Sequence, residues 1–179
     1  MKLSRIIFIT GGARSGKSRF AEDTACRFGS RLGYLATAQA FDDEMRERIG
    51  THQQRRGEQW TTTEEPYLPA DALERLDGTY DAILVDCITI WLSNLLLKQD
   101  ALSGCDEAAL TAEVDGLVST ITSMKTPIIL VSSEVGMGIV PESRLGRVFR
   151  DIAGLANQKL AACADEAWLV ASGLPLKLK

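Results

Sequence analysis

At 179 residues, with 45% hydrophobic and 25% charged residues, the chain has the size and composition of one globular domain able to bury a sizeable core. A formal net charge of -4 offers no bulk attraction to polyanions, which excludes a nucleic-acid role built on overall charge. Four scattered cysteines with no C-x-x-C pair and one histidine argue for reduced thiols rather than a zinc site; no apolar run reaches membrane-span length and no signal-peptide pattern precedes the first strand, so the expected location is the cytoplasm.

Ile6 to Thr10 is a short β-branched run that stops at two glycines, and Lys17 to Phe28 carries apolar residues at helical spacing, which predicts strand, glycine loop and helix in succession. Leu32 to Thr37 reads as a second strand. Asp42, Asp43 and Glu44 then supply acidic residues for the start of a helix running to about Arg56. Glu58 to Glu65, with its threonine run, suggests a third strand, and Leu68 to Leu76 a short helix bracketed by Pro66, Pro69 and Gly78. The uninterrupted apolar run Ala82 to Val85, ending at Asp86, has the pattern of a strand covered on both faces of a parallel sheet. A helix is expected over Ile88 to Leu97, a surface loop over Lys98 to Asp106, an amphipathic helix over Glu107 to Met124 and an apolar strand over Pro127 to Ser132. A long helix from about Glu142 to Ala164 follows Pro141, and the end, Glu166 to Ala171 followed by Gly173 to Leu178, reads as two final strands that fit a hairpin. The alternation predicts a single α/β domain over residues 1–179, a mostly parallel sheet with helices on both faces and an antiparallel edge.

The spacing Gly11-Gly12-Ala13-Arg14-Ser15-Gly16-Lys17-Ser18 is the full phosphate-loop pattern, set between a strand and a helix as the chemistry requires. Small residues let backbone N–H groups converge on phosphate oxygens, the helix start adds positive potential, Lys17 reaches the terminal phosphates and Ser18 can ligate magnesium. Asp86, ending the most apolar strand, is the candidate metal carboxylate, with capping of the next helix as the plainer alternative. Glu134 ends the following apolar strand and is a possible base or a simple strand-end carboxylate. Gly136-Met137-Gly138 reads either as a plain turn or as a mobile substrate clamp. Trp60, Trp91 and Trp168 read as packing residues.

His52 falls in the helix expected before Arg56, with Arg48 four residues before it and Arg55 and Arg56 three and four after, all on one face. A lone surface histidine is one reading. The other is a nucleophile: the cations disfavour imidazolium, leaving a neutral ring nitrogen to attack phosphorus while the arginines stabilise the departing phosphate.

Taken in order, the blocks Thr10 to Ser18, Tyr34 to Thr37, Asp42 to Met45 with Arg48, Ile49 and His52, Trp60-x-Thr62-x-Glu64, Asp86 to Thr89, Glu134 to Glu142, Phe149 to Gly154, Asn157-Gln158 and Ala167 to Val170 resemble the bifunctional adenosylcobinamide kinase / adenosylcobinamide-phosphate guanylyltransferase family of cobalamin biosynthesis. The resemblance spans nearly the whole chain. It implies phosphorylation of the aminopropanol hydroxyl of adenosylcobinamide by ATP or GTP, then transfer of GMP from GTP to give adenosylcobinamide-GDP through a GMP-histidine. His52 occupies the family's nucleophile position. By the same resemblance Ala36, Thr37, Ala38, Gln53, Gln54, Arg55, Arg56, Glu64 and Asp86 contact the guanine nucleotide, and Lys17 and Ser18 its phosphates and magnesium. It further implies a RecA-like P-loop fold and a homotrimer; the net charge of -4 sets the expectation of no nucleic-acid partner. Gly57, Ala38 and Ser133 depart from the family's proline, serine and asparagine without removing a catalytic group. The rival classes are a nucleotide-dependent switch protein and a P-loop kinase of another small hydroxyl compound.

Overall fold

The β-branched run that opens the chain becomes a strand buried on both sides, with Ile6 and Phe8 in one core and Ile7 and Ile9 in the other. Period-two alternation makes this the natural outcome for a run with no polar face. The computed structural model describes residues 5–39, 57–103 and 106–179. Its strands are β1 (Ile6–Gly11), β2 (Leu32–Ala36), β3 (Trp60–Glu64), β4 (Ala82–Asp86), β5 (Ile128–Ser133), β6 (Glu166–Ala171) and β7 (Leu174–Lys177). Its helices are α1 (Lys17–Ala25), α2 (Pro69–Leu76), α3 (Ile88–Ser103), α4 (Glu107–Ser123) and α5 (Arg144–Cys163).

The strands form one sheet in the order β3-β2-β4-β5-β1-β6-β7. Every pairing is parallel except β6 with β7, so the expected mostly parallel α/β sheet with an antiparallel edge is the observed one. Helix α1 covers one face through Ala21 and Ala25, against Ile7, Ile9, Tyr34, Leu84 and Val131. The other four helices cover the opposite face, where Leu73, Trp91, Leu117 and Leu160 close over Phe8, Leu35, Val85 and Leu130. Each such fully buried large side chain contributes roughly 1.5–3 kcal/mol relative to exposure.

Local chemistry sets the element ends. Asp106 Oδ1 accepts the N–H groups of Ala108 and Ala109 at 3.0 and 3.1 Å and so starts α4. Ser143 Oγ accepts the Gly146 N–H at 3.1 Å and starts α5, two residues later than Pro141 alone suggested. The closing strands are joined by Ser172 and Gly173, both at positive φ (52° and 80°), the backbone of a two-residue hairpin turn.

One expected element is corrected. The loop placed over Lys98 to Asp106 is helical through Ser103, as the last turns of α3. Lys98, Gln99 and Asp100 are polar but contain no helix breaker, and Lys and Gln are good helix formers. Loss of apolar periodicity there marks a solvent-facing helix end, not a helix stop. The helix expected from Asp42 to Arg56 lies outside the described residues.

Candidate active site

The phosphate-loop sequence folds as a tight turn between β1 and α1, and its small residues have identifiable steric reasons. A Cβ on Gly11 would lie 2.3 Å from the carbonyl oxygen of Val170 and 2.7 Å from Ser15 Oγ. Gly16 sits at φ 95° just before α1, with Gly173 Cα only 3.2 Å from where its Cβ would be. Arg14 also takes positive φ, 56°. The loop is braced from two sides: Glu134 N–H donates to the Gly11 carbonyl at 3.0 Å, and Gly173 N–H donates to the Ser15 carbonyl at 2.8 Å. Lys17 Nζ donates to the Gly12 carbonyl oxygen at 3.2 Å, so its ammonium lies over the loop. Thr10 Oγ1 and Ser15 Oγ are buried hydroxyls with no protein hydrogen-bond partner among the described residues. Polar atoms left this way beside a cradle of backbone amides suit an oxygen-rich ligand or water.

Strand order decides what faces this loop. Because β5 lies between β1 and β4, register aligns Gly11 with Ser133 and Asp86 with Val131 along the C-terminal edge of the sheet. Two strand spacings put Asp86 roughly 10 Å laterally from β1. Its Oδ2 accepts the phenol of Tyr34 at 3.0 Å. That contact follows from pleating: Ala36 pairs directly with Asp86, and Tyr34, two residues earlier, occupies the same face as its diagonal neighbour. Burial, and next the Asp86 charge, push the adjacent Cys87 thiol up to about 12, while the Lys17 charge pulls it partly back. Lys17 and Asp86 therefore act on one small region. Asp86 and Ser18, both half-buried, are hard oxygen donors of the kind magnesium takes.

Glu134 lies one residue beyond β5. Its Oε1 accepts the Gly136 N–H at 2.6 Å, which ties the carboxylate to its own loop at the same edge as the phosphate cradle. Asn157 on α5 donates to the Ser133 carbonyl at 3.3 Å, and its buried Oδ1 has no protein partner among the described residues.

A second group gathers farther along the edge. Ala36 pairs with Asp86 on one side and with Glu64 on the other, and Glu64 is exposed at the end of β3. From β3 to β1 is four strand spacings, roughly 19 Å, so this group and the phosphate loop are distinct regions of one edge. Thr37 is fully buried, and its bonds are internal: Oγ1 donates to the Cys87 carbonyl at 2.8 Å and accepts the Cys87 N–H at 2.9 Å. Its hydroxyl is a structural latch, leaving Ala36 and Ala38 as the partly exposed backbone beside it. His52, Gln53, Gln54, Arg55 and Arg56 lie outside the described residues.

Sequence reasoning passed over two supporting residues. Tyr34 entered only as part of a strand and as the first residue of a block in the family resemblance, with no role given to its phenol. Asn94, buried in α3, donates to the carbonyls of Thr37 and Pro66 at 2.8 and 3.1 Å and so positions the second group. The available signal was a side-chain amide inside the mainly apolar stretch from Ile88 to Leu97.

A family model described as cobinamide kinase / cobinamide phosphate guanyltransferase matches residues 7–178. The bifunctional adenosylcobalamin biosynthesis protein CobU of Escherichia coli (strain K12) is 44% identical over 182 residues, covering 97% of this chain and 99% of that protein. The protein of the same name from Salmonella typhimurium is 45% identical over 185 residues, with the same coverage of both chains, 97% and 99%. Among solved structures, the flagellar accessory protein FlaH from Methanocaldococcus jannaschii superposes with a TM-score of 0.51 at 17% identity, over 98% of this chain and 78% of that one. This last likeness concerns the fold alone, which is RecA-like. With a family model spanning nearly every residue and relatives similar from end to end, the chain belongs to the cobinamide kinase / cobinamide phosphate guanyltransferase family.

Proposed function

We propose that this chain phosphorylates the aminopropanol hydroxyl of adenosylcobinamide with ATP or GTP, and then transfers GMP from GTP to the resulting phosphate. The observation that carries the reading is the phosphate cradle, braced at Gly11 and Ser15 and sharing a sheet edge with Asp86 and Glu134, in a chain of this family. Backbone N–H groups of Gly12 to Gly16, with Lys17, hold the β- and γ-phosphates. Ser18 and Asp86 would hold magnesium, which when bound neutralises phosphate charge. The substrate hydroxyl attacks the γ-phosphorus, the nucleoside diphosphate leaves, and Glu134 takes the hydroxyl proton.

In the second reaction a ring nitrogen of His52 attacks the α-phosphorus of GTP and pyrophosphate departs. A phosphate oxygen of adenosylcobinamide phosphate then attacks the same phosphorus, breaking the P–N bond, freeing His52 and giving adenosylcobinamide-GDP. Dividing one displacement into two is the advantage of covalent catalysis. Gln53, Gln54, Arg55 and Arg56, with Ala36, Thr37, Ala38 and Glu64, would position the guanine nucleotide; Thr37 would do so by fixing the backbone through its hydroxyl latch on Cys87, not by a hydroxyl bond to the nucleotide.

We also propose one catalytic domain acting in the cytoplasm as a homotrimer, without a nucleic-acid partner. No described helix is long and apolar enough to cross a membrane. Leu174 and Leu176 on the edge strand β7 and Leu178 just beyond it, all exposed, support association between copies.

The deciding experiment incubates the protein with magnesium and GTP labelled at the α-phosphorus. An acid-labile, base-stable protein adduct is expected, absent from His52→Ala. A wild-type protein that binds GTP yet forms no adduct overturns the covalent mechanism and leaves a kinase or a switch.

A further inference from the structure

The two most exposed large apolar side chains among the described residues, Ile139 and Met137, lie in the segment that leaves the phosphate-loop edge of the sheet after β5. Ile139 is 97% exposed, Met137 82% and Val140 57%, all in the segment between β5 and α5. Three apolar side chains this exposed within four residues, bounded by polar residues, mark a binding surface more often than an accident of folding. Its position is tied down at both ends. Glu134, three residues before Met137, is hydrogen-bonded through its N–H to Gly11, the first residue of the phosphate loop. At the other end Arg147 Nη1 donates to the carbonyls of Pro141 and Glu142 at 3.1 and 2.6 Å. Gly146 admits Pro141 so closely that a Cβ there would lie 2.9 Å from the proline ring. The base of the segment is held while its apolar tip faces outward.

We infer that Met137, Ile139 and Val140 form the seat for the corrin macrocycle of the cobinamide substrate, an inference that rests on the kinase and guanylyltransferase reading above. Of the reactants, the nucleotides have polar bodies that the phosphate loop and the edge at Ala36 can serve. Cobinamide alone brings a large ring edged with methyl groups, interspersed with amide arms, which needs an apolar support. Reach is consistent with this. Three residues separate Met137 from Glu134, at most about 11 Å of chain. The aminopropanol arm spans about two residues' length, roughly 7 Å. A ring resting on this ridge therefore has the region between Glu134 and the phosphate cradle within reach of its hydroxyl. Methionine, unbranched and polarizable, and the neighbouring Gly136 and Gly138 allow the ridge to conform to a ring face.

The test compares wild type with Met137→Ser/Ile139→Ser, and with Leu97→Ser as a control at an exposed apolar residue on α3. Cobinamide binding is measured by equilibrium titration, steady-state phosphorylation is followed with cobinamide and ATP varied separately, and assembly is measured by sedimentation velocity. The double variant is expected to raise the KM and Kd for cobinamide by about tenfold or more, as loss of two apolar contacts implies, with the KM for ATP held. Leu97→Ser leaves all three values at wild type, and Met137→Leu/Ile139→Leu restores cobinamide affinity. Unchanged cobinamide affinity in the serine variant overturns the inference. So does a change of sedimentation coefficient without a change in affinity, which makes the ridge a contact between copies. Wild type that binds ATP but no cobinamide overturns the proposed function itself, and the macrocycle seat with it.

Discussion

The backbone N–H of Gly173 donates to the carbonyl oxygen of Ser15 at 2.8 Å, so a turn near the end of the chain braces the phosphate loop near its start. The turn depends on positive φ at Gly173, 80°, and packs its Cα into the space that a side chain on Gly16 would need. Gly173→Ala is therefore expected to cost about 1–2 kcal/mol of backbone strain. Thermal unfolding should fall by roughly 2–4 °C per kcal/mol. If the brace also orients the cradle, nucleotide affinity falls about fivefold for each 1 kcal/mol that reaches it; an unchanged Kd for ATP confines the turn to stability.

Tyr34 orients Asp86 through a hydrogen bond to Oδ2 at 3.0 Å, while its ring meets Trp60 edge-on at 6.1 Å. Tyr34→Phe retains the ring contact and removes the donor. A stability loss of about 1.5–3 kcal/mol at most is expected for a bond to a charged group. Phosphoryl transfer should slow, with the KM for ATP held and the magnesium dependence altered. Asp86→Ala should be the more severe change. Equal magnesium titrations for Tyr34→Phe and wild type would remove Tyr34 from the site.

Asn94 holds two carbonyls, those of Thr37 and Pro66, in a buried place. Asn94→Leu leaves both acceptors without their donor and is expected to destabilise by about 2–3 kcal/mol. Chemical denaturation reads the stability term. GTP affinity should fall with it, because Ala36 and Ala38 flank Thr37.

Asp77 gives the fold a defined acid limit. Burial alone would raise its carboxyl, but hydrogen bonds from the backbone and hydroxyl of Thr126 and from the backbones of Lys125 and Gly78 outweigh it and hold the carboxyl below the ordinary 3.8. A folded pKa below the unfolded one means a stabilising contribution that is fully present above the unfolded value and lost as pH falls through the folded one. Asp77→Ala should lower stability at neutral pH by about 1 kcal/mol. The gap to wild type should narrow as pH drops below about 4, because wild type then loses the same contribution. A gap constant with pH in denaturant titrations would assign the effect to packing rather than charge.

Cys87 should resist alkylation in the native state. Its thiol is buried and pushed up to about 12, whereas Cys26 is exposed. Since the thiolate is the reactive form, iodoacetamide at pH 8 should modify Cys26 and leave Cys87 intact until denaturant is added. Peptide mass spectrometry checks this.

The elements were legible where pattern is local. The apolar runs from Ile6 and Ala82, the glycines between β1 and α1, and the closing pair of strands each carry their own stereochemical instruction, and neighbouring residues suffice to read them; the structure moves Gly173 from the last strand into the turn. The end of α3 was misplaced because Lys98 to Asp100 lose apolar periodicity without losing helix propensity. The phosphate loop and the family resemblance were likewise readable from residues alone, since both are ordered spacings along the chain. Strand order was not. Only the folded sheet inserts β5 between β1 and β4, brings Glu134 onto Gly11, sets Tyr34 against Asp86 and encloses Thr37 between Cys87 and Asn94. Those relationships join residues far apart in the chain through register and packing, and no local propensity encodes which strand will lie beside which.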